Sequence, residues 1–117
     1  MILVVSDAPL NRLLASGGLI MNTWPQANED VRVLVKLLQV TFPSLDEVIG
    51  TGLVELAAAN ARNSGITLLL GEAAVLAVAQ DEDGDGIKEP RKNPERVIRL
   101  DIFDVQAQGR SGAEVAR

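Results

Sequence analysis

Trp24, Phe42 and Phe103 are the only aromatic residues in a chain of 117 that is 47% hydrophobic, so its core must be assembled from Leu, Val, Ile and Ala. A core of that kind packs by shape, with few large anchors. At this length the chain can bury one continuous core and is short for two ordinary domains. The expected organisation is a single compact domain over residues 1–105 and a tail over 106–117, where no apolar period survives. The longest apolar runs, 1–5, 66–70 and 73–79, fall well short of the roughly 20 residues that span a bilayer. The first run has no basic residues before it and is stopped by Asp7, so it reads as part of the fold rather than as a secretory signal. A soluble protein of the cytoplasm or of a virion, not of a membrane, is expected.

The chain contains no cysteine, histidine or tyrosine, which removes disulfides, zinc-thiolate sites and the commonest general bases and nucleophiles. Only carboxylate, lysine, serine and threonine chemistry is left. The net charge of -5 argues against nucleic acid as a partner, because that affinity comes from Lys and Arg neutralising phosphates. Five of the eleven basic residues (Lys88, Arg91, Lys92, Arg96, Arg99) directly follow the densest acidic cluster, with no aromatic residue among them to stack on a base. Mutual neutralisation on one exposed loop accounts for them.

Residues 1–6 suit a buried strand, and Asp7 with Pro9 begins a short helix over 8–16. Gly17-Gly18 reads as its stop, followed by an edge strand or extended connection over 19–24. Asn28 is the expected cap of a helix whose stripe is Val31, Leu34, Val35, Leu38 and Phe42, although Val31, Val33, Val35 and Leu37 also alternate as a strand would. Ser44 and Glu47 form a capping box for a further helix running to about residue 61, with Leu53 and Leu56 on its buried face. Gly50-Thr51-Gly52 lies inside that pattern and lacks the preceding strand and the lysine of a phosphate cradle. Residues 66–70 read as a strand, 73–80 as strand or helix, and 97–105 as a strand. The sum is an α+β fold: two to three helices packed on a small sheet, with a C-terminal β-hairpin carrying an acidic loop.

That loop holds the clearest chemical pattern. Asp81, Asp83, Asp85 and Glu89 occupy positions 1, 3, 5 and 9 with Gly86 at position 6. Alternate residues of a curled loop point inward, and the glycine permits the reversal, so hard oxygen ligands can surround Ca²⁺. The backbone carbonyl of Ile87 is a further candidate ligand.

Over these nine residues the segment resembles the calcium loops of the EF-hand, dockerin and thrombospondin type 3 families and the strand-borne loops of integrin-type β-propellers. The resemblance implies that Asp81, Asp83 and Asp85 are the leading ligands. Position 12 is Lys92 where an EF-hand carries a bidentate Glu, and Glu89 matches the strand-borne version better. The opening through Asp7 also faintly resembles PIN-domain ribonucleases, which implies a metal site completed by Glu47 or Glu55 with Asp101 and Asp104. Against that family, Asp7 is followed by Ala-Pro.

The leading expectation is therefore a non-enzymatic structural or interaction subunit of an oligomeric assembly, with itself or other protein subunits as partners and Ca²⁺ stiffening the acidic loop. A virion neck, tail or capsid accessory component is one concrete instance. The alternatives are a monomeric regulator that binds a protein through its helical face, and a metal-dependent PIN-like nuclease.

Overall fold

The apolar runs on either side of Gly71-Glu72 become adjacent antiparallel strands, and the sheet grows outward from them. The fold is that of a computed structural model, which describes residues 1–57, 64–90 and 92–107. Among them are the strands β1 (Ile2–Val4), β2 (Glu55–Leu56), β3 (Gly65–Leu70), β4 (Ala73–Gln80) and β5 (Arg99–Ala107), in the order β1-β5-β4-β3-β2. β1 runs parallel to β5 and the other pairings are antiparallel. Four helices, α1 (Ala8–Leu14), α2 (Gly17–Thr23), α3 (Asn28–Leu37) and α4 (Leu45–Gly50), complete an α+β architecture.

Strand pairing decides the ambiguous run at 73–80. Its alanines would suit a helix, but alternation puts Ala73, Val75, Ala77 and Ala79 wholly on one face, opposite Leu70, Leu68 and Ile66 of β3. Those strand residues share one core with Leu10, Leu14, Ile20, Trp24, Val31 and Leu34 of the helical region. Trp24, the largest of them, donates its indole N–H to the carbonyl of Val105 at 2.9 Å and so ties the α2 end to β5. No charged or polar residue is buried among the described residues.

Several expectations need correction. Gly17-Gly18 begins a helix instead of ending one, because the Ser16 hydroxyl caps α2 by accepting from the N–H of Leu19. Asn28 does not cap α3: Ala27 holds that position, and the Asn28 side chain accepts from Arg32 Nε one turn on. The helix after Ser44 keeps its cap, with the Ser44 hydroxyl accepting from the Glu47 N–H, but it stops at Gly50. There the Thr51 hydroxyl takes the Val48 carbonyl and Gly52 turns to a φ of 78°, the left-handed C′ position that closes helices. Leu53 is consequently exposed, Val54 is buried in its stead, and Leu56 belongs to β2. Residues 58–61 of the expected helix lie outside the described residues. Gln106 and Ala107, expected in the tail, extend β5, while 108–117 lie outside the described residues. Between the antiparallel β4 and β5, where a hairpin carrying the acidic loop was expected, the connection over 81–90 and 92–98 is folded, with a bridge from Gln80 to Gly86 and a 3-10 turn at Pro94–Arg96.

The two layers are also joined at the β3–β4 turn. Gly71 has a φ of 59°, the first central position of a two-residue type II′ turn, and the next N–H, of Glu72, is accepted by the Asp30 carboxylate of α3 at 2.8 Å. A Cβ at Gly71 would collide with that carboxylate. Gly71→Ala is therefore expected to lower unfolding free energy by about 2 kcal/mol or more, through left-handed strain plus the displaced Asp30. Urea titration of the two proteins checks it; equal midpoints would show that the turn does not constrain the fold.

Candidate functional site

The acidic connection is built on Asp81. β4 delivers this residue at its end with only 18% of the side chain exposed, and its Oδ1 accepts the backbone N–H groups of Asp83 (3.0 Å) and Asp85 (3.1 Å). The main chain closes the same reversal, with Gly84 N–H donating to Asp81 O and Asp81 N–H to Asp85 O. Gly84 sits at a φ of 82°, where a side chain would be strained. Beyond the tip, Ile87 is fully buried and its N–H donates to Ala79 O, so the loop is anchored in the core immediately after its most charged stretch.

Three of the expected ligands come together. One carboxylate oxygen from each of Asp81, Asp83 and Asp85 lies within 4.8 Å of the others, the largest separation two oxygens can have when both touch an ion at about 2.4 Å. Asp83 and Asp85 are exposed, and Asp81 Oδ2 lies 3.6 Å from the Arg96 guanidinium. Glu89 is placed differently. It occupies the left-handed region at a φ of 51° and pairs with Lys92 at 3.0 Å, while the Asn93 amide and the Lys92 N–H donate to its carbonyl. Ile87 serves the loop as a buried plug. Basic residues thus neutralise the acidic cluster in part, through Arg96 and Lys92. Arg91 lies outside the described residues.

The carboxylates of the nuclease reading form no common site among the described residues: Asp101 stands opposite Val4 of β1, Glu47 is on α4, and Glu55 is on β2 at the other edge of the sheet. Asp101 accepts the N–H of Ser6 at 3.1 Å, and Asp104 accepts from its neighbours Val105 N–H and Gln106 Nε2. Among the described residues, the three loop aspartates are the one acidic group with metal-binding dimensions. Asp7 holds the N-cap position of α1 without a side-chain capping bond. Gly50-Thr51-Gly52 closes the C-terminal end of α4, where carbonyls rather than N–H groups point outward.

A second feature was not singled out by sequence reasoning. The helices pack on one face of the sheet, and no described element covers the other. By register that face carries Val4, Val78, Leu76, Ala74 and Leu69, each half-buried, together with Thr67, Gln80, Asp101 and Asp104, and Ile2 exposed at 39%. The signal was present in β4, whose residues at both parities are apolar where a solvated face calls for polar alternation.

No family model, curated protein or solved structure matches the chain. Among the described residues no helix is long and apolar enough to cross a membrane.

Removing the Asp81 side chain leaves two N–H groups without their acceptor, so Asp81→Ala is expected to cost about 1–2 kcal/mol of stability. Asp81→Asn keeps an amide oxygen for both bonds and should cost less than half as much. Chemical denaturation orders the three proteins; equal losses for Ala and Asn would locate the role of Asp81 in its charge instead.

Proposed function

We propose that this chain is a non-enzymatic interaction subunit of an oligomeric assembly, meeting its protein partner through the open face of the sheet and carrying an acidic loop that takes up Ca²⁺. The observation that carries this reading is the contiguous row of half-buried aliphatic side chains on the face away from the helices. Apolar surface gathered in one patch is what interfaces use, whereas single exposed apolar residues such as Leu19 and Met21 on α2 are ordinary. That contrast favours the sheet over the helical side as the docking surface.

The face can be tested without disturbing the core. Leu76 is opposite Asp104 and Val78 is opposite Asp101, so lysines at 76 and 78 gain oppositely charged cross-strand neighbours. In dilute solution the parent protein is expected to enhance the fluorescence of an apolar dye such as anilinonaphthalenesulfonate. Leu76→Lys with Val78→Lys should abolish the enhancement while holding unfolding free energy within about 1 kcal/mol. A folded parent that leaves the dye dark would remove the basis of the reading.

For the loop, three carboxylates leave the remaining coordination to carbonyls and water, which fits weak uptake with a Kd on the order of 0.1–1 mM. At ten times Kd the linkage amounts to about 1.4 kcal/mol, or a rise in melting temperature of about 3–6 °C. Asp83→Asn with Asp85→Asn should erase that rise, and Glu89→Gln, which removes only the Lys92 partner, should leave it intact. Calorimetric scans with Ca²⁺ or chelator measure both. A melting temperature indifferent to Ca²⁺ would reduce the loop to a self-bonded turn.

A further inference from the structure

We infer that Asp85 is a site of covalent self-modification, where the Gly86 amide closes on the aspartate side chain to give a succinimide and then isoaspartate, while Asp83 in the same loop is protected from that reaction. The inference stands apart from the interaction-subunit reading and from Ca²⁺ uptake.

The reaction requires an aspartate followed by an unhindered amide nitrogen, and glycine, with no Cβ, is the least hindered successor. The sequence holds two such pairs, Asp83-Gly84 and Asp85-Gly86; every other aspartate precedes a residue with a side chain, and no asparagine precedes glycine. Both carboxylates are exposed, and neither takes part in a hydrogen bond or ion pair among the described residues. The two electrophiles are therefore alike.

Their nucleophiles differ. Gly84 N–H donates to Asp81 O at 3.0 Å across the turn. Gly86 N–H has no acceptor among the described residues, because the bonds flanking the bridge to Gln80 run from Asp81 N–H to Asp85 O and from Ile87 N–H to Ala79 O. An amide must shed its proton to attack a carboxyl carbon. The exposed Gly86 nitrogen can do so without breaking a bond of the fold, and the Gly84 nitrogen cannot. Packing also keeps the reactive glycine in place: a Cβ at Gly86 would stand 2.4 Å from Ser64 Oγ and 3.1 Å from Ser64 Cβ.

In the first step the Gly86 nitrogen bonds to Asp85 Cγ, the Cγ–OH bond breaks, and the amide proton leaves with that hydroxyl as water. Water then opens the ring. Addition at Cγ restores aspartate; addition at the former main-chain carbonyl breaks its bond to the Gly86 nitrogen, leaves a carboxylate on Cα and routes the chain through the side-chain carbon. One water leaves and one enters, with no oxidant or reductant. The product has an extra backbone atom between Asp81, just past β4, and Ile87, fixed in the core, and the Asp85 carbonyl that accepted Asp81 N–H has become a pendant carboxylate. Modification thus loosens the acidic connection without cutting the chain.

The test is incubation of the whole chain at physiological pH and temperature with chelator, folded and in guanidinium chloride, followed by electron-transfer fragmentation, which tells isoaspartate from aspartate at each position. Unfolded, the two pairs should react at comparable rates. Folded, the ratio of isoaspartate at 85 to that at 83 should rise roughly 2- to 10-fold, the factor that one backbone hydrogen bond contributes. Incubation in heavy-oxygen water should leave the label in residue 85, since each ring opening takes up a solvent oxygen. Asp85→Glu, which keeps the charge but demands a six-membered ring, should abolish the signal at 85. A folded ratio equal to the unfolded one, more isoaspartate at 83 than at 85 in the folded chain, or a folded chain that stays unmodified at 85 while the unfolded one reacts overturns the proposal.

Discussion

The alternation along β4 places everything else, because this strand is bonded on both sides and a one-residue slip against either neighbour would turn its whole apolar set to the other face. Three of its four core-facing residues are alanine. Alanine fills little space, so the larger side chains above the strand come from its neighbours and from the helices: Ile66 and Leu68 from β3, Leu100 and Ile102 from β5, Val31 and Leu34 from α3. In a chain with three aromatics, this is how an aliphatic core reaches normal density, with small residues on the central strand and branched ones around it. The bulge between Leu76 and Ala77, where β5 inserts Phe103, adds local twist where Trp24 reaches the Val105 carbonyl.

How legible this was depended on the range of the deciding interaction. Ser44 and Asp7 mark their helix starts because the choice is made within one turn of chain, and the stripe Val31, Leu34, Leu37 fixes α3 by a period that the competing β alternation cannot match, because alternation turns Leu34 to the opposite face from Val31 and Leu37. Gly52 misled for a local reason of another kind. A glycine inside an apolar period reads as a weak point in a helix, yet at C′ it is the residue that ends one, and only its φ separates the two roles. Gly17-Gly18 is the mirror case, where the serine before it carried the information. The run at 73–80 could not be settled from within at all. Its strand character comes from two neighbours contributed by sequence on either side.

The acidic loop shows why a motif fixes less than its spacing suggests. The period-two placement of Asp81, Asp83 and Asp85 does bring three carboxylates together, as the wrapping argument requires. The first aspartate also accepts two backbone N–H groups through Oδ1, so hydrogen bonds share in holding the reversal. Preorganisation of this sort lowers the ordering cost of taking up an ion. Glu89 illustrates the limit of counting positions. Its left-handed backbone and its pairing with Lys92 follow from the turn that Asn93 holds together, and nothing in a one-dimensional spacing records that turn.

The sheet's two faces pose the remaining physical question. A helical layer over one face gives a two-layer domain a complete core, and nothing in folding alone requires the opposite face to be apolar. Selection for solubility would place Lys, Glu and Thr there, as alternating strands do. Here the polar groups of that face are concentrated on β5, where Asp101 also secures the chain leaving β1, while β4 and β3 present Val78, Leu76, Ala74 and Leu69. Keeping charges in one column leaves a short aliphatic strip, Ala74, Leu76 and Val78, on β4 beside it. A strip of that form gains stability only when a complementary surface is laid on it, and this is the physical ground of the interaction role proposed above.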